Sequence, residues 1–232
     1  MLKVESEQGF GKYTDYIPTH ACKKTHHALN ICRCKYVQNR TAKVLGNRLK
    51  LSVRGKTEVK EPDKAFVLWL TGLSGSGKTT LADRIYEFIS KKGLSVEKLD
   101  GDILRGFFPA TGFTRQQRDE HIKRVGFMAS MLEKHGVIVV ASFISPYRNA
   151  RRFVRDVCKN FIEVYVHAPL DVCEKRDVKG LYTRARAGQI KNFTGLDDPY
   201  EEPEKPDIIV NTDEQSVDES ASVIIDFIGK YL

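Results

Sequence analysis

From Phe66 onward, two rhythms of apolar positions alternate along the chain. "FVLWLT" (Phe66–Thr71) is a short unbroken apolar run, of the kind shown by a strand buried on both faces. After a glycine-rich stretch, Leu81, Ile85, Phe88 and Ile89 fall on one face of an amphipathic helix, and Gly93 stops it. "SVEKL" (Ser95–Leu99) predicts a second strand. Ile122, Val125, Ala129 and Leu132 mark a further helix that ends near His135 and Gly136. "VIVVASF" (Val137–Phe143) reads as a central strand covered on both faces. "FIEVYVHA" (Phe161–Ala168) and "DIIVN" (Asp207–Asn211) supply strands four and five, and Val217–Tyr231 a closing helix. The alternation predicts an α/β fold: a parallel five-stranded sheet, helices on both faces, right-handed crossovers.

Two regions break the rhythm. Between Asp177 and Pro206 the chain is rich in Gly, Pro and charge. A long irregular segment inside a compact domain is usually functional, so residues 178–206 are expected to form a lid. Residues 1–64 are expected to be a basic, weakly ordered extension, in which "NRLKLSVRG" (Asn47–Gly55) suggests a strand or hairpin arm. They carry 14 Lys and Arg against 6 Asp and Glu, whereas the remainder is balanced at 24 of each, so the whole net charge of +8 lies in this quarter. The neutral remainder gives no electrostatic argument for nucleic-acid binding by the main domain, and none is expected of the arm. A zinc site could be drawn from Cys22, His26, Cys32 and Cys34, but their spacing matches no common structural zinc pattern. Five cysteines without a dense framework, a polar N-terminus and no apolar run of membrane-spanning length point to a reducing, cytoplasmic setting without membrane insertion.

"GLSGSGKT" (Gly72, Leu73, Ser74, Gly75, Ser76, Gly77, Lys78, Thr79), followed by Thr80, fits G-x-x-x-x-G-K-[ST] between a predicted strand and a predicted helix, the context this motif requires. Glycines let the backbone curl so that successive N–H groups point inward and form an anion nest, to which the helix N-terminus adds its positive end. Lys78 is expected to reach the β- and γ-phosphates of ATP, and Thr79 to offer its hydroxyl to Mg²⁺. No N-K-x-D run marks a guanine reader, and no long ATPase strand ends in a lone Asp. Instead the second strand ends in "LDGD", where Asp100 or Asp102 could hold the metal's water shell or take a proton from an attacking hydroxyl. Asp102 is the chosen candidate for metal and chemistry, and also reads as an N-cap before "ILR". These features define a P-loop nucleoside-triphosphate-hydrolase-like kinase.

In "GLSGSGKTTLA", "LDGD", "GFT", "RDEHIKR", "ASFISPYR", "KGLY", "ARAG" and "IKNFTGLDDPYE", the chain from Phe66 onward resembles the adenylylsulfate kinase (APS kinase) family. The resemblance implies transfer of the ATP γ-phosphate to the 3′-hydroxyl of adenosine 5′-phosphosulfate (APS) in sulfate assimilation, with Mg²⁺. It also implies a homodimer and functional pairing with an ATP sulfurylase. By position it implies Arg105 and Arg118 as holders of the phosphosulfate, and Phe113 and Phe193 as the adenine sandwich. Ile144 and Ser145 line the substrate side, Lys179 and Leu181 belong to the lid, and Arg176 lies near the ATP adenine. Ser145 takes the place of a phosphoserine intermediate, although phosphoryl transfer needs only in-line positioning, metal and charge, and Ser145 before Pro146 reads equally as a turn residue.

Arg118, His121 and Arg124 recur every three residues and suggest a cationic stripe turned away from Ile122 and Val125. His121 is expected to face the substrate groove with its hydrogen-bonding capacity intact, and an imidazole there could be charged at about pH 6–7. Ile103, Gln117, His121, Lys123 and Val178 depart from the family pattern and bear on affinity and pH optimum. Two competing readings remain: a kinase of another small metabolite on the same scaffold, and a polyanion-binding module that uses nucleotide as a switch.

Overall fold

The structure, a computed structural model, describes residues 65–108 and 112–232. Its centre is β1 (Val67–Thr71), flanked by β3 (Ile138–Ser142) and β4 (Phe161–His167). The edges are β2 (Val96–Asp100) and β5 (Ile208–Asn211), giving the order β2-β3-β1-β4-β5 with every pair parallel. In β1, Val67 stands opposite Val139 on one side and Phe161 on the other, and all five residues are buried.

Alternation along β1 divides the core in two. Phe66, Leu68 and Leu70 pack with Leu81, Ile85 and Ile89 of α1 (Lys78–Lys91) and with Ile224 and Ile228 of α7 (Val217–Ile228). Val67 and Trp69 pack on the other face with Ile122, Val125 and Ala129 of α3 (Arg115–Lys134) and with Ala150 and Val154 of α4 (Arg148–Val157). Each fully buried Val, Leu, Ile or Phe among them contributes about 1.5–3 kcal/mol. Both long closing helices start in capping boxes. Thr114 accepts from the Gln117 N–H at 3.3 Å while Gln117 accepts from the Thr114 N–H at 3.2 Å. Ser216 and Glu219 repeat the arrangement.

The predicted strands match within a residue or so at each end, and the last helix stops at Ile228 before a 3₁₀ turn, Gly229–Tyr231. Apolar periodicity misses α2 (Gly101–Phe107), α4, α5 (Leu170–Arg176) and α6 (Leu181–Arg186). Three of these are too short for two helical repeats. In α4 a buried arginine, Arg151, occupies the core face beside Ala150 and Val154 and hides the stripe. The extension 1–64, its strand arm and its Cys/His cluster lie outside the described residues. Among the described residues no helix is long and apolar enough to cross a membrane, and Cys158 and Cys173 are free and buried.

Where α3 crosses α4, a Cβ on Gly126 would lie 2.6 Å from Val154 Cγ2. Gly126→Val is therefore expected to cost about 1–3 kcal/mol through overpacking. Urea denaturation should show a lower midpoint at unchanged slope; an unchanged midpoint would mean that the crossing yields freely.

Candidate active site

The carboxyl ends of the parallel strands converge on one cavity of about 930 Å³, near the upper end of the roughly 300–1,000 Å³ usual for ligand pockets. Residues predicted for nucleotide (Lys78, Thr79, Thr80, Arg176) and for acceptor (Arg105, Phe113, Arg118, Ile144, Phe193) line it together. Gly72, Leu73 and Ser76 do not: Ser76 is buried, and Leu73 packs against a small cluster around Cys173, Tyr182 and Phe193.

The loop from β1 to α1 is shaped by what its glycines exclude. A Cβ on Gly72 would collide with the Val166 carbonyl, and one on Gly75, at φ 79°, would lie 2.9 Å from the Cys173 carbonyl. Lys78 opens α1 and is buried, its Nζ donating to the Leu73 carbonyl at 2.6 Å and to Ser76 Oγ at 3.4 Å. Burial pushes its pKa down to about 8. Arg176, from the end of α5, donates to the carbonyls of Gly75 (3.3 Å) and Thr212 (2.6 Å) and to Thr212 Oγ1 (3.1 Å).

The two acids of "LDGD" stand in different settings, and the N-cap is Asp100 rather than Asp102. Asp100, buried, is the N-cap of α2: its Oδ1 accepts from the Asp102 N–H at 2.9 Å, while its Oδ2 accepts from Thr79 Oγ1 at 3.4 Å. The carboxylate beside Thr79 is thus Asp100, not Asp102. Asp102 lies two residues further on, in the first turn of α2, its side chain 68% exposed and ion-paired with Lys179 of the predicted lid. Sequence reasoning weighed both acids; only the geometry of the helix start separates them.

On the acceptor side, the Phe113 ring, 55% exposed, lies 4.9 Å from the Arg105 guanidinium and 5.7 Å from that of Arg118. Burial and then the neighbouring Arg118 pull the Arg105 pKa down, so this like-charged pair favours an anion. Arg118 is buried; it donates to the Phe113 carbonyl at 2.9 Å and also to Thr194 Oγ1 and the Asn192 carbonyl. Phe193 is buried edge-on against Tyr182 at 4.9 Å. The predicted cationic stripe does not exist. Arg118 and His121 lie on the same buried face as Ile122 and Val125, and only Arg124 points outward, to Glu120. His121 is 1% exposed, edge-on to Phe108 and Phe143, and lines the cavity. Burial, with Arg105 and Arg124 nearby, lowers its pKa to about 4, so it stays neutral near pH 7 rather than charging there. Neither ring nitrogen has a hydrogen-bond partner among the described residues.

Ser145 is engaged rather than available. At φ 40° and fully buried, its Oγ accepts from Trp69 Nε1 at 3.1 Å and donates to Thr71 Oγ1 at 3.0 Å, and Thr71 donates onward to the Ile144 carbonyl at 2.8 Å. The predicted lid is divided. Its first part carries Lys179 and α6, in which the half-buried Leu181 packs on the Cys173 cluster and Tyr182 donates to the Ser74 carbonyl at 2.9 Å. Its second part is pinned: Glu201 N–H donates to the Pro146 carbonyl at 2.8 Å, and the Tyr200 and Thr71 hydroxyls share a bond of 2.9 Å. Trp69, Thr71, Tyr182, Tyr200 and Thr212 were missed by sequence reasoning. "KGLY" and "DDPYE" carried the two tyrosines, but no local spacing announces their partners.

A glycine-lined anion nest at the end of β1, a buried lysine and an arginine–aromatic cluster across one cavity define a phosphate-binding-loop kinase of small anionic molecules. A family model for adenylylsulphate kinase matches residues 64–211. Relatives include an adenylyl-sulfate kinase of Halothermothrix orenii, 52% identical over 166 residues (71% of this chain, 90% of the relative). Another, from a Synechococcus strain, is 53% identical over 163 residues (70% and 93%). Among solved structures, the Mycobacterium tuberculosis APS kinase in complex with AMPPNP and APS matches at TM-score 0.68 and 40% identity, covering 72% of this chain and 98% of that one. The chain belongs to the adenylylsulfate kinase family.

Two outcomes follow from the site. The Lys78 charge is lost from the free protein above about pH 8, and kcat/KM reports the free protein. It should therefore fall for ATP above that pH, whereas kcat should hold to higher pH because bound phosphates retain the proton. Constant-ionic-strength pH profiles test this; a kcat/KM flat to pH 10 would contradict it. Ser145→Ala strands the buried Trp69 N–H and should lose about 1–3 kcal/mol of stability while turnover persists. Peptide mapping after incubation with labelled ATP should find no phosphoserine at position 145; a stoichiometric one would overturn this reading.

Proposed function

We infer that the chain transfers the γ-phosphate of ATP to the 3′-hydroxyl of adenylyl sulfate, yielding ADP and 3′-phosphoadenylyl sulfate. One observation carries the reading: the anion nest with Lys78 and the Arg105–Phe113–Arg118 cluster line the same cavity. Lys78 and the loop N–H groups neutralise the transferring phosphoryl group as it passes between in-line oxygens. The Thr79 hydroxyl and Asp100 carboxylate, 3.4 Å apart, are hard oxygen donors of the kind Mg²⁺ takes and would hold it here. When bound, the ion offsets charge on the phosphates. Arg176 and Thr212 border the ATP base.

Arg105 and Arg118 hold the phosphosulfate, because guanidiniums match oxyanions in two-point contacts. Phe113 and Phe193 take the flat faces of the acceptor adenine, and neutral His121 offers it a donor and an acceptor. Ile144 and Ser145 form the wall behind. Asp102 orients the 3′-hydroxyl and accepts its proton once Lys179 turns to the phosphates; the exposed pair between them is worth about 1 kcal/mol or less, so it opens readily. Lys179 and Leu181 move with the lid as it excludes water. The wider setting of this reading is sulfate assimilation in the cytoplasm, as a homodimer supplied by an ATP sulfurylase.

ADP release measured with adenylyl sulfate and with a panel of sugars and nucleosides tests the assignment, which expects turnover with the sulfated nucleotide alone. Lys78→Ala should lower kcat by about two orders of magnitude or more. Near-normal turnover in that variant, or a preference for a sugar or nucleoside, would sink the reading.

A further inference from the structure

We propose that Arg151 is a positioning residue for the acceptor nucleotide, clamping the turn after β3 and the Asp198–Glu202 strap into one wall. This rests on the reading above that Ile144 and Ser145 face the acceptor. Arg151, on α4, is 3% exposed. Its Nε donates to Glu163 Oε1 at 2.9 Å, one terminal nitrogen to the Ser145 carbonyl at 2.6 Å and the other to the Glu201 carbonyl at 2.6 Å. Glu163 neutralises it from β4, and Arg155 reaches the other oxygen of Glu163 at 3.3 Å and Asp207 at 2.9 Å.

A buried ion pair is a poor source of net stability compared with apolar packing. What a guanidinium adds is a rigid fork that can serve three acceptors in fixed directions, which a lysine cannot. The fork ends on a residue that needs it: Ser145 is a non-glycine residue at φ 40°, a backbone state that persists only when its surroundings over-determine it. Arg151 fixes its carbonyl, and Trp69 and Thr71 fix its hydroxyl.

The strap is tied to the same wall. Tyr147 donates to Asp198 Oδ2 at 2.7 Å, the Arg148 N–H donates to Glu201 Oε2 at 2.9 Å, and Glu201 N–H donates to the Pro146 carbonyl. Asp198 also lies 3.9 Å from Arg118, the acceptor-side arginine. Lys78, Thr79 and Arg176 make none of these bonds. Loss of the clamp should therefore weaken acceptor binding and spare ATP.

The test compares wild type, Arg151→Lys and Tyr200→Phe by separate KM values for adenylyl sulfate and ATP, and by emission of Trp69, the only tryptophan in the chain. Arg151→Lys should raise KM for adenylyl sulfate about tenfold, the scale of a small displacement of a bound reactant, with KM for ATP unchanged and Trp69 emission shifted to the red. Tyr200→Phe, which removes one strap hydroxyl and keeps Arg151, should change the same two readings in the same directions, less strongly; it carries the test if Arg151→Lys does not fold. An unchanged KM for adenylyl sulfate, or an equal rise for both substrates, overturns the proposal. If wild type fails to turn over adenylyl sulfate, the functional reading falls. The clamp is then judged by Trp69 emission, and an unshifted spectrum overturns it.

Discussion

A lysine ammonium held out of water, with no carboxylate at ion-pair distance among the described residues, is the constraint around which this site is arranged. Lys78 is buried under its own loop and satisfied by a carbonyl and a hydroxyl. Its missing countercharge has to come from a ligand, and a polyphosphate brings it. The Arg105–Arg118 neighbourhood repeats the logic on the acceptor side, where two guanidiniums crowd one aromatic ring. Affinity for anions and tension in the free protein are thus one property described twice.

The sheet makes the arrangement geometrically available. Parallel strands deliver all their carboxyl ends to one edge, so the loop after β1, the acids after β2 and the turn after β3 meet in a single cavity. The two apolar cores on either face hold that edge in place from both sides. Around the cavity, rigidity is uneven. The segment from Asn192 to Glu202 is bonded into α3, α4 and the β3 turn, whereas Lys179 reaches the opposite rim through one exposed ion pair.

The fold and the phosphate loop were legible because each rests on a local pattern: apolar periodicity for the elements, and a fixed run of small residues for the nest. What stayed hidden depends on direction rather than spacing. Asp100 and Asp102 look alike in sequence, and the helix start alone decides which one turns toward Thr79. Arg118 and His121 precede Ile122 and Val125 by helical intervals that put all four on one face, so the polar members are buried with the apolar ones instead of opposite them. Arg151 conceals α4 by occupying a core position with a charged residue. Its partners, Ser145, Glu163 and Glu201, come from three separate parts of the chain, and no local window contains them.

The central place of β1 bears on how the molecule is made. Its two neighbours are encoded far downstream, since Val67 pairs with Val139 and Phe161. On the ribosome the first strand stays unpaired until β3 has emerged, and its second edge stays open until β4 follows; contacts of such long sequence separation also close slowly. Nascent chains that end before β4 therefore cannot complete the nucleotide cradle, and they expose a sticky segment that chaperones would have to shield.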